Sequence, residues 1–194
     1  MYSHDNGNTF KIIIKTLEDL GYHTKFEILN GSTHGNLPQN RERVYLVGFR
    51  NIENFEKFSF PSKIDLKIKV TDLLEKVVPE KYYYNNKPLH HKLKEVINDK
   101  NSVYQWRRHY VRKNMSNVCP TLTANMGTGG HNVPLILDDK GIRKLTPKEC
   151  FNIQGFPPEY ILPNISDAAL YKQAGNSVNV PVIRRIAEKI IESF

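Results

Sequence analysis

Two arginines, spaced two residues apart, stand at the start of an apolar run. Arg41 and Arg43 lie in the stretch PQNRERVYLVGF, which occupies positions 38–49. Because residues i and i+2 of a β-strand point to the same face, the spacing predicts two guanidinium groups side by side. Such a pair suits an anion, a carboxylate or a carbonyl oxygen that needs a forked donor. The alternative interpretation is a strand end whose two charges are solvated by water.

The two cysteines, Cys119 and Cys150, offer little chemistry. Two cysteines are too few for a disulfide scaffold and lie too far apart for a metal-binding knuckle, so we expect reduced thiols and no metal site. A thiolate nucleophile needs nearby positive charge and an exposed position. Cys150 falls inside a helical pattern and is expected to pack in the core. Neither thiol is expected to be catalytic.

Positive charge is concentrated in the middle of the chain. The net charge is +8, and ten lysines and arginines against three acidic residues at positions 76–114 give a local balance of +7. Six aromatic residues share this stretch, namely Tyr82, Tyr83, Tyr84, Tyr104, Trp106 and Tyr110. Basic residues mixed with aromatics suit a phosphate backbone with bases beside it, which predicts contact with DNA or RNA. The alternative is a lysine-rich surface that is merely solvated.

Length and composition fit a soluble protein of one or two domains. The chain has 194 residues, 39% of them hydrophobic, and a mean hydropathy of −0.52. No apolar run approaches the ~20 residues that a membrane span needs. The first ten residues lack the basic and apolar regions of a signal peptide. We therefore expect a cytoplasmic protein that is not associated with a membrane.

The patterns along the chain predict an α/β protein with an insert. A helix at positions 10–20, a strand at 22–29, a polar loop and a strand at 44–49 resemble the closing edge of an α/β sheet. Positions 51–118 are polar and irregular and are interpreted as an inserted small domain. The next segment, at positions 119–137, predicts two strand edges joined by a flexible, glycine-containing loop.

Two helical signals follow the insert. Thr146, Pro147 and Glu149 form the pattern of a capping box, and Gly155 ends that helix. The last segment predicts a tight Gly-Asn-Ser turn and then a helix with Pro181 near its start. One apolar stripe on this helix is expected to pack on the α/β sheet, and it consists of Ile183, Ile186, Ala187, Ile190 and Ile191.

Three segments, taken in order, resemble the DNA (cytosine-5) methyltransferase family. QNRERVYLVGF, IRKLTPKECFNIQGFP and YKQAGNSVNVPV are similar to that family's eighth, ninth and tenth conserved blocks. TLTANMGTGG resembles the Thr-Leu segment and glycine loop that end its target recognition domain. The resemblance implies the C-terminal edge of a class I methyltransferase sheet with an inserted small, mostly irregular or β target recognition domain. It divides the chain into residues 1–50, residues 51–142 and residues 143–194.

The resemblance also assigns roles around a flipped cytosine. It implies that Arg43 donates to the cytosine O2 and holds a neighbouring glutamate, that Arg41 shapes the same pocket, and that Gln39 steadies the loop. It places three residues at the wall of an S-adenosylmethionine pocket, namely Asn176, Ser177 and Val178. A plain helix-entry turn is the alternative reading of those three residues.

DNA contacts are expected from the recognition region. The resemblance places Thr121 and Leu122 near the target base and phosphate, with strand packing as the alternative. Further candidates for DNA contact are Arg107, Arg108, Arg112, Gly127, Gly129 and Gly130, and the arginines could read guanine or hold phosphates. By the same resemblance residues 144–155 are mostly a scaffold that fixes the recognition domain to the core, and Arg143 bridges the recognition domain and the core.

The family's reacting groups are missing from the sequence. No Pro-Cys nucleophile motif, no Glu-Asn-Val motif and no Phe-x-Gly-x-Gly cofactor loop is present. The resemblance therefore implies the C-terminal half of an enzyme, inactive alone and poorly stable alone. Its partners would be duplex DNA and either a separate N-terminal catalytic half or a missing upstream segment. The relic of a broken gene is the third possible origin.

Three functions are compatible with these patterns. The leading one is part of a bacterial or phage-like DNA (cytosine-5-)-methyltransferase of the restriction-modification type, which uses S-adenosylmethionine. The second is a non-catalytic, sequence-specific DNA-binding module. The third is an RNA-binding protein, which rests on basic and aromatic content alone.

Overall fold

The computed structural model describes residues 4–107, 109–114, 117–127 and 133–194. The α-helices are α1 (Asn8–Asp19), α2 (Gly31–His34), α3 (Ile52–Lys57), α4 (His90–Lys94), α5 (Pro147–Ile153), α6 (Asp167–Asn176) and α7 (Val180–Glu192). The strands are β1 (His23–Asn30), β2 (Gln39–Asn40), β3 (Glu42–Phe49), β4 (Val103–Arg107), β5 (Tyr110–Asn114), β6 (Cys119–Pro120), β7 (Leu135–Asp138) and β8 (Gly141–Lys144). Short 3-10 helices lie at His4–Gly7, Val70–Leu73 and Glu80–Tyr82.

The N-terminal elements form an antiparallel pair of strands behind a helix, as predicted. β1 pairs with β3 from His23 opposite Phe49 to Asn30 opposite Glu42. Helix α1 ends before Gly21, which has a left-handed φ of 82° that glycine adopts without steric cost. The helix and two strands therefore occupy the places that the sequence pattern gives them.

One face of this strand pair packs on the C-terminal helix. Leu29 and Tyr45 point to the same side, where they form a core with Val182 and Ile186 of α7. This confirms that α7 packs on the strands. The predicted single stripe is wrong, because Ile183, Ala187 and Ile191 stay exposed. The helix buries the row at 182, 186 and 190, and successive residues lie about 100° apart around a helix, so the neighbouring row turns away.

The opposite face of the strand pair is largely uncovered. Phe26 and Ile28 of β1 are 44% and 45% exposed, although both are apolar. Phe10 of α1 covers one edge of this face, with its ring centroid 4.7 Å from that of Phe26. An open groove of about 710 Å³ runs between α1 and this strand. Exposed apolar surface of this kind marks a place where another segment packs.

The predicted polar loop at 30–43 is more ordered than expected. Residues 31–34 form helix α2, whose N-terminus is capped by the Asn30 side chain accepting from the Ser32 N–H. β2 pairs in parallel with β6, with Gln39 opposite Cys119, and β3 begins at Glu42 rather than at Val44. β2 pairs with the segment around position 120, and Arg185 of α7 donates to the His34 carbonyl of α2 at 2.7 Å. Local patterns reveal neither of these remote contacts.

The middle of the chain contains a four-stranded antiparallel sheet. Its strand order is β5-β4-β7-β8. A core lies against it, formed by Leu93, Ile97, Tyr104, Leu135 and Ile142. The sheet crosses the predicted boundary after position 142, because β8 spans Gly141–Lys144. The largest core likewise joins residues before and after that boundary, with Leu122 and Ile136 on one side and Leu145 and Phe151 on the other.

Helix α5 begins with the predicted capping box. The Thr146 hydroxyl accepts from the Glu149 N–H, and a Glu149 carboxylate oxygen accepts from the Thr146 N–H at 2.8 Å. Gly155 follows the helix with a left-handed φ of 83°. All three predicted features of this helix are present.

Arg143 links this helix to the sheet. Its Nε donates to Asp138 at 2.6 Å, and its two terminal nitrogens donate to the two carboxylate oxygens of Glu149, each at 2.8 Å. Burial alone would lower the pKa of Arg143, but the hydrogen bonds and charges of both carboxylates raise it above its ordinary value. The predicted bridging position of Arg143 is therefore occupied by a paired, fully charged side chain.

Helix α6 departs from the sequence prediction. Gly175 and Asn176 form the last turn of this helix rather than a tight turn of their own. In a local sequence pattern, glycine near the end of a helix predicts that the helix ends there. Here it is a packing residue, because a Cβ on Gly175 would lie 2.2 Å from the Thr123 carbonyl carbon.

No helix in the described ranges is long and apolar enough to span a membrane. The same residues contain no cluster of histidine, cysteine and acidic side chains that could hold a metal ion.

Removing the buried ion pair should destabilise the fold strongly. Arg143→Ala leaves the buried Glu149 carboxylate without its partner, which we expect to lower the free energy of unfolding by about 3–5 kcal/mol. Lys100→Ala is the control, because the Lys100–Asp139 pair is exposed and should contribute little. Urea denaturation followed by circular dichroism measures both. Equal midpoints for the two variants would contradict the assigned role of Arg143.

Candidate functional site

Arg41 occupies the centre of the site. It lies between β2 and β3, is only 5% exposed, and donates to three backbone carbonyls. The acceptors are Leu122 at 2.7 Å, Gly175 at 3.1 Å and Ser177 at 2.7 Å. Arg41 is therefore a buried clasp between distant segments, which excludes the solvated strand end for this residue.

The end of helix α6 compensates the buried charge. The last carbonyls of a helix lack partners within the helix and carry the negative end of its dipole. Gly175 supplies one of these carbonyls to Arg41. Burial, and next the charge of Arg43, lower the pKa of Arg41 to about 10, so the side chain stays protonated at neutral pH. Its Nε has no hydrogen-bond partner among the described residues.

Arg43 lies nearby but is exposed. It is the second residue of β3, and one terminal nitrogen donates to the Glu42 carbonyl at 2.6 Å. Burial raises the pKa of Tyr45, and the charges of Arg41 and Arg43 oppose that shift, so both arginines lie near this ring. Neither arginine forms an ion pair with a carboxylate in the part of the chain that the structure describes. Arg43 thus presents an exposed guanidinium that has no carboxylate partner among the described residues.

Three buried amides hold the strand that carries these arginines. The Asn179 amide donates to Gln39 at 3.3 Å and to Gln154 at 2.7 Å. Gln154 donates in turn to the Ala174 carbonyl at 2.8 Å. Gly31 has no room for a side chain, since its Cβ would lie 2.5 Å from the Asn179 Oδ1. These contacts are consistent with the steadying role expected for Gln39.

The residues assigned to a cofactor wall lie directly after this clasp. Asn176 and Val178 are exposed, whereas Ser177 is half-buried and its hydroxyl donates to the Ala174 carbonyl at 2.7 Å. The Ser177 carbonyl accepts a hydrogen bond from Arg41. An exposed amide and an exposed apolar residue therefore flank Ser177, at the end of α6 and before α7.

A polar cleft of about 340 Å³ lies beside the arginine strand. Its lining consists of Asn40, Gln105, Arg107, Arg112, Asn114, Pro120, Thr121 and Thr123. It brings together three of the predicted DNA-binding residues, which are Arg107, Arg112 and Thr121. The Thr121 hydroxyl donates to the Asn40 carbonyl at 2.7 Å and so ties the cleft to the strand of Arg41.

The other predicted DNA-binding residues differ in position. The Leu122 side chain is buried in the core, so the packing alternative holds for this side chain. The Leu122 carbonyl accepts a hydrogen bond from Arg41. Gly127 packs against helix α6, because a Cβ there would lie 2.8 Å from the Tyr171 Cβ. Arg108, Gly129 and Gly130 lie outside the described residues.

Sequence reasoning missed five residues of the cleft: Asn40, Gln105, Asn114, Pro120 and Thr123. A signal for two of them existed in the alternation of VYQWR and YVRKN, which form strands β4 and β5. The two residues between these strands are Arg108 and His109, which lack the Asn-Gly or Gly-Asn character of a hairpin turn. Without a turn signal between them, the alternating residues of the two segments do not by themselves predict a hairpin.

Both thiols are unsuited to nucleophilic chemistry. Cys119 and Cys150 are fully buried. Burial raises the pKa of each thiol above its ordinary value. The neutral thiol therefore predominates at physiological pH, in agreement with the expectation from sequence.

A family model for C-5 cytosine-specific DNA methylase matches residues 1–192 of this chain. The type II methyltransferase M.Bsp6I of Bacillus sp. (strain RFL6) is 55% identical over all of this chain, which spans 63% of that protein. M1.ScrFI of Lactococcus lactis subsp. cremoris is 38% identical over 98% of this chain, which spans 49% of that protein. The chain thus spans between about half and two thirds of these two relatives.

Solved methyltransferase structures share the fold. Entamoeba histolytica methyltransferase EhMeth superposes with a TM-score of 0.70 at 19% identity, over 96% of this chain and 58% of that one. The S. pombe Dnmt2 methyltransferase gives a TM-score of 0.68 at 18% identity, over 98% and 62% of the two chains. At these identities the likeness concerns the fold alone.

Both thiols should resist modification in the folded protein. We expect Cys119 and Cys150 to react with an aromatic disulfide reagent only after denaturation, because a thiolate must attack the reagent's disulfide and neither thiol is exposed. Val77→Cys, at a highly exposed position, is the positive control and should react at once. Prompt reaction of Cys119 in the native protein would reverse the conclusion that it is not a nucleophile.

Proposed function

This chain belongs to the C-5 cytosine-specific DNA methylase family, and we propose that it supplies the base pocket and the DNA-recognition surface of a DNA (cytosine-5-)-methyltransferase. The complete enzyme would transfer a methyl group from S-adenosylmethionine to C5 of a cytosine flipped out of a short duplex site. The nucleophile would come from a part of the protein that this sequence does not contain, since both of its own cysteines are buried.

The Arg41 clasp is the observation that carries the proposal. It fixes the strand that presents Arg43, and it does so through carbonyls of the recognition segment at Leu122 and of the cofactor-side segment at Gly175 and Ser177. Arg43 lies two residues after Arg41, so its guanidinium would be presented close to where those two segments meet. A protein that only bound DNA would not need this convergence.

Arg43 would act on the flipped base. Extruding a base costs a few kcal/mol of lost stacking and pairing. A fixed guanidinium offsets part of that cost by donating to the cytosine O2, and it polarises the ring for attack at C6. Burial of the neighbouring Arg41 keeps a second positive charge behind the pocket. Arg43 would also hold the glutamate that the missing portion contributes.

The exposed pair Asn176 and Val178 fits one wall of a cofactor pocket. An amide can hydrogen-bond a polar group of S-adenosylmethionine, and an apolar side chain can cover its adenine ring. When bound, the cofactor supplies the methyl group. The part of the chain that the structure describes offers only this wall, so the remaining walls would come from the rest of the enzyme.

The uncovered apolar face would receive that remaining portion. Phe26 and Ile28 lie on an open face of a sheet that has only two strands, beside the groove along α1. A strand added to an edge of this sheet would satisfy open backbone groups. A further layer packed on the open face would cover both side chains. The added portion could be a separate chain or an upstream segment of the same chain.

Residues 51–142 would form the target recognition domain. Their basic stretch contributes Arg107 and Arg112 to the cleft beside Asn40. These two unpaired guanidiniums also suit the second candidate function, a DNA-binding module without catalysis. The two functions predict different effects of removing Arg43: an enzyme should lose methyl transfer, whereas a DNA-binding module has only DNA binding to lose.

Replacing Arg43 separates the two candidates. We would fuse to this chain the portion of M.Bsp6I that lies outside the match, and measure transfer of labelled methyl groups to duplex DNA. Arg43→Ala should lower methyl transfer by roughly 10²–10³ while duplex binding changes little, because the guanidinium acts on the flipped base. Arg184→Ala is the control, since Arg184 is a highly exposed arginine of α7.

Two results would count against the enzyme. Loss of duplex binding in proportion to methylation would indicate a DNA reader, and a preference for single-stranded RNA over duplex DNA would indicate an RNA-binding protein. Unchanged methylation by Arg43→Ala would remove this residue from the base pocket.

Charge on the apolar face should block assembly. We expect the isolated chain to bind the missing portion of the enzyme and to gain thermal stability on binding. Ile28→Glu should abolish that gain because it places a carboxylate in the buried face. Ile161→Glu, at an exposed isoleucine in an irregular segment, should leave it unchanged. Differential scanning calorimetry of the mixtures measures both, and equal stabilisation of both variants would exclude this face as the docking site.

A further inference from the structure

The hairpin of β4 and β5 has two chemically different faces. Tyr104, Trp106 and Val111 alternate onto one face and pack in the core of the four-stranded sheet. The intervening residues alternate onto the other face, where Gln105 lies directly opposite Arg112. The polar face looks into the cleft, and the apolar face anchors the hairpin.

Gln105 lines the cleft although little of it is exposed. The residue is 7% exposed, and no hydrogen bond of its amide occurs among the described residues. The amide keeps contact with the solvent of the cleft, because the buried side-chain atoms without a partner among the described residues are Gln39 Nε2 and Arg41 Nε. Its donor and acceptor are therefore open to a ligand that enters the cleft.

Arg112 has no carboxylate partner among the described residues, whereas the next residue, Lys113, does. Lys113, on the same strand but the opposite face, forms an ion pair with Asp99 at 3.0 Å. Arg112 and Arg107 have no carboxylate partner within the described ranges. The positive charge on the cleft side of the hairpin is therefore left available, while that on the other side is neutralised.

We propose that Gln105 and Arg112 form one base-reading pair that selects a guanine-containing base pair in the duplex. This rests on the proposed function of the chain as the DNA-recognition part of a methyltransferase. The major groove admits a two-stranded β-ribbon, and arginine donates two hydrogen bonds to guanine O6 and N7. The Gln105 amide adds a donor and an acceptor for the edge of the same or the adjacent base pair.

The composition of the pair favours bases over phosphates. Polar side chains, glutamine included, can also contact phosphates, but a phosphate presents acceptors only. A forked donor beside an amide that offers both a donor and an acceptor matches the mixed pattern of a base edge. The position of the cleft relative to Arg41 follows from Asn40, which lines the cleft and directly precedes Arg41. The Asn40 carbonyl accepts a hydrogen bond from the Thr121 hydroxyl, which also lines the cleft. The base pair that is read therefore lies close to the target cytosine.

A binding selection tests this assignment without requiring methylation. The 194-residue chain, and in parallel its fusion with the M.Bsp6I portion, would be offered a library of random DNA duplexes, and the bound fraction sequenced. Wild type should select a motif that contains guanine. Arg112→Ala should lower the preference for guanine at one position by roughly tenfold or more. Gln105→Met, which keeps the volume but removes the amide, should alter the preference at the same or the next position.

Lys113→Ala is the matched control, and it should retain the wild-type motif because its charge is already paired on the other face. Far-UV circular dichroism would establish that each variant folds like the wild type. The proposal is overturned if wild type selects no sequence, or if Arg112→Ala and Gln105→Met bind the same motif with unchanged base preferences. A weaker but equally selective Arg112→Ala would mean a phosphate contact, and it too overturns the proposal.

The same samples distinguish this inference from the proposed function. A fusion that methylates no cytosine, yet selects a motif through Gln105 and Arg112, would leave a DNA reader and support the inference. A fusion that methylates cytosine within one motif, whichever of these two side chains is removed, would support the enzyme and refute the inference.

Discussion

The structure depends on one buried positive charge that has no acidic partner. Arg41 is surrounded by carbonyl oxygens from positions 81, 134 and 136 residues further along the chain. Leaving this guanidinium without acceptors would cost several kcal/mol, so the three segments must converge wherever Arg41 is buried. The parallel pairing of β2 with β6, the end of α6 and the start of β3 all follow from that requirement.

The chain contains a second buried arginine, and the contrast is instructive. Arg143 is neutralised by two carboxylates and fastens a hairpin to helix α5. Arg41 is compensated by backbone carbonyls and has no carboxylate partner among the described residues. A neutralised arginine serves architecture alone, whereas an arginine held by carbonyls can still contribute to the field of a nearby anion or carbonyl.

Local chemistry predicted those elements whose determinants lie within a few residues. The capping box of α5, the glycine stop after α1 and the alternation of β1 are of this kind. The cleft residues Arg107 and Arg112 were also found, because charge and aromatic content mark that stretch. The burial of Arg41 was not foreseen, since its acceptors are remote in sequence. The last turn of α6 was mistaken for a tight turn because Gly175 is needed for a backbone contact that only the fold reveals. The split of the α7 stripe has the same cause, because which row is buried depends on what packs against it.

The pairing of β2 with β6 has a consequence for how such proteins diversify. The Cys119 N–H donates to the Pro38 carbonyl at 2.7 Å, and Gln39 and Asn40 face Cys119 and Pro120 through main-chain positions. Hydrogen bonds between main-chain atoms can form with most side chains at those positions. The attachment of the segment between β2 and β6 therefore depends little on the identity of its side chains. Residues on the polar face of the β4–β5 hairpin can accordingly drift during evolution without loosening the attachment. The same scaffold could thus acquire a succession of sequence preferences by exchange of a few exposed side chains.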